Sequence, residues 1–77
     1  MCNNLKVLGE NIYQERVSKH VTQKQLGESI GVGPSVIHLY ERGMVNIPFD
    51  RLVGIANYLE VSIDVLAGRS VEADNTT

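Results

Sequence analysis

The chain has one cysteine, no tryptophan, two prolines and only 5% aromatic residues in 77. A lone Cys2 closes no internal disulfide, and with no second cysteine at ligand spacing and His20 and His38 eighteen positions apart, no metal site is expected. No apolar run approaches the roughly 18 residues needed to cross a bilayer, so no membrane span is expected. The opening Met1-Cys2-Asn3-Asn4-Leu5-Lys6-Val7-Leu8 turns polar at once and lacks the apolar stretch and small-residue cleavage site of a signal peptide. A cytoplasmic location is the expectation. Catalysis is disfavoured as well, because one terminal cysteine, two distant histidines and scattered serines supply no nucleophile, base and orienting group together. No cofactor is expected, since a chain of this length has little room for both a core and a cofactor cavity.

What remains is the composition of a small folded domain, 43% apolar and 21% charged. Without disulfide or metal, a domain this short has a thin stability margin, and association with a second copy is one remedy. The net charge of −2 hides an asymmetry. Residues 1–15 carry Lys6 against Glu10 and Glu15, a net −1. Residues 16–51 carry Arg16, Lys19, Lys24, Arg42 and Arg51 against Glu28, Glu41 and Asp50, a net +2. Residues 52–77 carry Arg69 against Glu60, Asp64, Glu72 and Asp74, a net −3. A basic middle and an acidic end orient a molecule toward an anion.

Apolar residues recur at helical spacing and no stretch alternates as a strand does, so an all-α domain is expected. Leu8 and Ile12 mark a first helix ending near Lys19 and His20. Thr22 with Gln25 forms a capping box for a second helix whose buried stripe is Leu26 and Ile30, stopped by Gly31. Gly33-Pro34 opens a third helix that runs to Arg42 before Gly43. Pro48 starts a fourth, with Leu52, Ile55, Ala56 and Leu59 as its apolar face. Ser62 caps a short fifth helix through Ala67, with Gly68 after it. Residues 1–7 are expected to be flexible, 8–68 to form the domain, and 69–77 to be a disordered tail.

Only Gly31-Val32-Gly33 separates the second and third helices, a glycine-containing turn of helix-turn-helix length. A wheel at about 100° per residue places Val36, Ile37 and Tyr40 on the core side of the third helix. Pro34, Ser35, His38, Leu39 and Arg42 face outward. Glu41 falls at the boundary, where a buried carboxylate needs a cation, and Arg16 on the first helix is its expected partner.

The ordered set Leu8-Gly9-Glu10, Arg16, Thr22-Gln23-x-x-Leu26-Gly27-x-x-Ile30-Gly31-Val32, Ser35-x-Ile37-x-x-Tyr40-Glu41-Arg42-Gly43 and Leu52-x-x-Ile55-Ala56-x-x-Leu59-x-Val61-Ser62-x-Asp64-x-Leu66 resembles the Cro/repressor helix-turn-helix family, the lambda-repressor-like or Xre type, over residues 8–68. The resemblance implies a compact five-helix DNA-binding domain, a third helix in the major groove, and a homodimer on a palindromic double-stranded site. It implies base reading by Pro34, Ser35 and Leu39, to which the wheel adds His38. It implies backbone contacts by Gln23 and Arg42, with Lys24 beside them, and a structural ion pair between Arg16 and Glu41. Where the family often carries glutamine, arginine or asparagine, this chain has Pro34 and Leu39, so direct readout is sparse and shape recognition contributes. Met44 and Val45 replace polar residues of the following loop. His20 stands where glycine commonly takes positive φ. Tyr58, Val65 and Val71 form a candidate dimer patch. The competing readings are an antitoxin-like or anti-regulator module that binds protein through Pro34, Leu39, Met44 and Val45, and the N-terminal domain of a longer repressor.

Overall fold

A computed structural model describes residues 4–68. It contains five helices: α1 (Asn4–Ser18), α2 (Gln23–Ile30), α3 (Pro34–Glu41), α4 (Phe49–Leu59) and α5 (Ile63–Leu66), with no strand among the described residues. Local chemistry sets most of the boundaries. Thr22 Oγ1 accepts from Gln25 N at 3.0 Å while Gln25 Oε1 accepts from Thr22 N at 2.9 Å, so two backbone donors that the start of α2 leaves over are satisfied reciprocally. The helix closes on Gly31 at φ +79, and Val32 N donates back to Gly27 O at 2.9 Å. Gly33 then caps α3 without a side-chain bond, and Pro34 occupies its first turn, where no amide hydrogen is needed. Ser62 Oγ accepts from Val65 N at 3.1 Å and starts α5.

The core is a single cluster of Ile12, Leu26, Ile37, Tyr40, Ile55, Ala56, Leu59 and Leu66, to which every helix contributes. Leu8, Ile30, Val36, Leu52 and Ile63 pack around it, partly buried. α2 packs on α3 and α4, and α1 lies across α3 and α5. α1 reaches α3 through Gly9, whose missing side chain lets the backbones meet. A Cβ there would stand 2.4 Å from the Tyr40 carbonyl oxygen and 2.6 Å from that of Glu41. Asn11 Nδ2 donates to the Leu66 carbonyl at 3.0 Å, tying α1 to the far end of the domain.

Several boundaries differ from the sequence expectation. α1 begins at Asn4, so residues 4–7, expected to be flexible, are helical. The reason is tertiary: Gly43, at φ +69, lies so close to this turn that a Cβ would come within 2.8 Å of Lys6 Cα. α3 ends at Glu41 with Arg42 as its cap, and Pro48 precedes α4 as its N-cap with φ −57 and ψ 145. His20 takes φ +60 as expected of a position that favours glycine, and Glu60, which the sequence did not flag, does the same at the end of α4. The expected tail, residues 69–77, and Val71 within it, lies outside the described residues. No described helix is long and apolar enough to cross a membrane.

Candidate nucleic-acid interface

α3 has two chemically distinct sides. Ile37 and Tyr40 are buried at 0 and 2% exposure and lock its inner side into the core, with Val36 partly buried beside them. Pro34, Ser35 and His38 are exposed on the other side, and Arg42 is exposed at its end. Leu39 departs from the wheel in being half-buried. With the helix capped by Gly33, the Ser35 hydroxyl is not consumed in capping, which leaves an exposed donor and acceptor on the outward side.

Behind α3, three elements converge on Glu41. Arg16 on α1 donates through Nε to Glu41 Oε2 at 2.5 Å and through Nη2 to Oε1 at 3.2 Å. The side chains are 10 and 4% exposed, so the pair is an interior one. Arg16 Nη1 also donates to the Val21 carbonyl at 2.7 Å, which pins the turn between α1 and α2, and its guanidinium lies 5.4 Å from the centre of the Tyr13 ring. Gln23, the first residue of α2, donates through Nε2 to Glu41 Oε1 at 3.0 Å. The Arg16 and Glu41 side chains were paired from the sequence alone, whereas the Gln23 contact was not. One carboxylate thus ties α1 and the start of α2 to the end of α3, and Gln23 is held in a fixed place relative to the outward side of α3.

The loop after α3 carries no comparable polar chemistry. Met44 is 65% exposed and Val45 37%, and Phe49, opening α4, is 71% exposed. Arg51, in the first turn of α4, donates from Nη1 to the Tyr40 hydroxyl at 2.9 Å. That hydrogen bond shifts the guanidinium pKa upward from its ordinary value. Lys24 is exposed and stands 4.0 Å from Glu28, one turn along α2, an ion pair of little energetic weight in water. On a different part of the surface, Tyr58 and Val65 are 44 and 43% exposed. Among the described residues, no group of three histidine, cysteine or acidic side chains is placed to hold a metal ion.

The geometry is that of two short packed helices joined by a glycine-containing turn, with the second presenting one exposed side. The Helix-turn-helix family pattern matches residues 12–66, most of the chain and all of this arrangement. The chain belongs to the Cro/repressor helix-turn-helix family. In this helix-turn-helix domain α2 is the first helix of the motif and α3 the second. Over 66 residues the chain is 35% identical to the Cryptic phage CTXphi transcriptional repressor RstR of Vibrio cholerae, a match covering 86% of this chain and 59% of that protein. The chain spans between 44 and 59% of the length of the curated relatives it matches. Among solved structures, the P22 c2 repressor protein in complex with synthetic operator 9T is 29% identical with a TM-score of 0.72, covering 77% of this chain and 89% of that one. The restriction-modification controller protein C.AhdI from Aeromonas hydrophila shares the fold, with a TM-score of 0.76 at 24% identity over 82% of this chain and 91% of that one.

Proposed function

We propose that this chain is a sequence-specific transcriptional regulator that binds double-stranded DNA, acting as a small repressor on a palindromic operator in the cytoplasm. The observation that carries the reading is α3 itself. Its inner side is fixed in the core by Ile37 and Tyr40, while Pro34, Ser35 and His38 stand exposed on a helix of major-groove dimensions. Gln23, Lys24 and Arg42 contact phosphates and set the register, which carries no sequence information by itself. Ser35 and His38 hydrogen-bond to base edges, while Pro34 and Leu39 lie against thymine methyl groups. The relatedness to a named phage repressor and to a repressor solved on its operator supports the same assignment. The chain's role is binding rather than catalysis, and repression follows from occupying the site that polymerase needs.

Operator binding by this family of motifs is two-fold, and the half-exposed Tyr58 and Val65 are the described residues proposed to face a second copy, with Val71 the third candidate. The test is selection from a random duplex pool with the 77-residue chain, followed by a salt titration on the winner. The expected result is an inverted repeat with half-site centres about 10 base pairs apart, and an affinity whose logarithm falls by about 0.9 per neutralised phosphate for each log unit of salt. Equal weak binding to every duplex would overturn the reading, and the exposed Met44, Val45 and Phe49 would then be tested as a protein-binding surface.

A further inference from the structure

We propose that Tyr13, on α1, is a DNA-backbone contact, the opposite wall of a phosphate seat whose other wall is the recognition helix. The inference rests on the DNA-binding reading above and goes beyond its residues. Tyr13 joins Gln23, His38 and Arg42 around one hollow of about 340 Å³, with the buried Glu41 and with Glu10 completing the lining. Gln23 and Arg42 are the backbone-contacting residues of the reading and His38 is exposed on the face of α3, so a strand lying along them passes the mouth of this hollow. Tyr13 is 50% exposed, which leaves its phenol accessible there.

Its place is also fixed. The Tyr13 ring lies against the Arg16 guanidinium, Arg16 is bound by Glu41, and Glu41 accepts from Gln23. This chain of contacts begins and ends on side chains that open on the same hollow, so one buried carboxylate positions both. A phenol hydroxyl is a donor with little conformational freedom, and an aromatic ring holds it with only two side-chain torsions to freeze. Glu41 offers no free charge to repel an anion, since its oxygens are taken by Arg16 and Gln23. Glu10 does oppose one, which makes the Tyr13 contact modest.

The experiment compares the parent chain with Tyr13→Phe and Tyr13→Lys on the selected operator and on an unrelated duplex, with thermal midpoints measured alongside. Tyr13→Phe keeps the ring over Arg16 and is expected to bind both duplexes about fivefold more weakly with an unchanged midpoint, because a phosphate contact carries no sequence preference. Tyr13→Lys replaces the neutral donor with a cation and is expected to restore affinity at low salt and to steepen the log-log salt slope by about 0.9. If Tyr13→Phe binds both duplexes as the parent does, or loses affinity only in step with its thermal midpoint, this assignment is wrong while the regulator reading stands. An unchanged slope in Tyr13→Lys also overturns it. If the parent itself binds no duplex, the regulator reading fails and takes this inference with it.

Discussion

Glu41→Gln is the substitution that tests the architecture most sharply. It keeps the shape of the side chain and removes its charge at a site 4% exposed, where three donated hydrogen bonds converge, two from Arg16 and one from Gln23. A glutamine has one acceptor oxygen where glutamate has two, and its amide nitrogen would point a donor at a donor. Whichever way the amide turns, Arg16 therefore loses one of its two bonds, and with the oxygen in the place of Oε2 Gln23 loses its bond as well. In either orientation a guanidinium only 10% exposed is left without a counter-charge, and breaking a buried pair this way costs about 3–5 kcal/mol. The Val21 carbonyl and the Tyr13 ring still engage Arg16, which argues for the lower end, about 3 kcal/mol. A domain of 77 residues has a total stability of about 4–12 kcal/mol, so the loss is a large fraction of it. At about 4–8 °C per kcal/mol the thermal midpoint should fall by about 12–24 °C. Urea titration followed by far-ultraviolet circular dichroism measures the free-energy loss, and a temperature scan of the same signal measures the midpoint. The double variant Arg16→Met with Glu41→Leu removes both charges and should lie closer to the parent than Glu41→Gln does, because no charge is stranded. A loss below about 1 kcal/mol for Glu41→Gln would refute the claim that this pair fastens α1 to α3.

Three further outcomes follow from single positions. His20→Gly should raise stability by about 0.5–1 kcal/mol in the same urea titration, since a side chain at φ +60 carries a strain that glycine does not, although glycine gives part of this back as backbone entropy. Gly9→Ala should destabilise by about 2–3 kcal/mol or prevent folding, read by the same dichroism, because its Cβ would fall 2.4 Å from a backbone oxygen of α3 that has no side-chain freedom with which to yield. Ser35→Ala should shift the thermal midpoint by no more than about 2–4 °C, as an exposed residue outside the cap of α3, and should relax base preference at one position of each half-site when the selection is repeated.

What could be read from the sequence, and what could not, divides along the range of the interactions. The capping box of Thr22 and Gln25, the Gly31 stop and the Gly33-Pro34 entry are all settled within four residues, so the turn between α2 and α3 was legible in full. The wheel sorted α3 for a related reason: helical periodicity is local, and the core needs one side of it, which put Ile37 and Tyr40 inside and Pro34, Ser35 and His38 outside. Leu39 fell between, because a residue at the edge of the apolar arc is settled by how closely neighbouring helices approach. The start of α1 was missed on the same ground. Nothing in residues 4–7 announces a helix start, and no acidic residue supports its first turn, yet Gly43 lies against its backbone from 37 residues away at Lys6.

The contacts of Glu41 sharpen the point. A carboxylate at the boundary of an apolar face calls for a cation, and charge type alone was enough to name Arg16 across 25 positions. Charge type could not name Gln23, because a neutral amide leaves no such demand in the sequence, and its bond to Glu41 spans 18 residues. Nor could it name Arg51 as the partner of the Tyr40 hydroxyl, since an arginine at the start of a helix is satisfied equally well by water. What the structure adds is therefore concentrated in contacts that involve a neutral side chain and in the glycines that let helices touch. The charges of Arg16 and Glu41 hold the scaffold, while in the proposed reading the uncharged Gln23 and Tyr13 set the position of the domain on the DNA backbone and Ser35 reads a base edge.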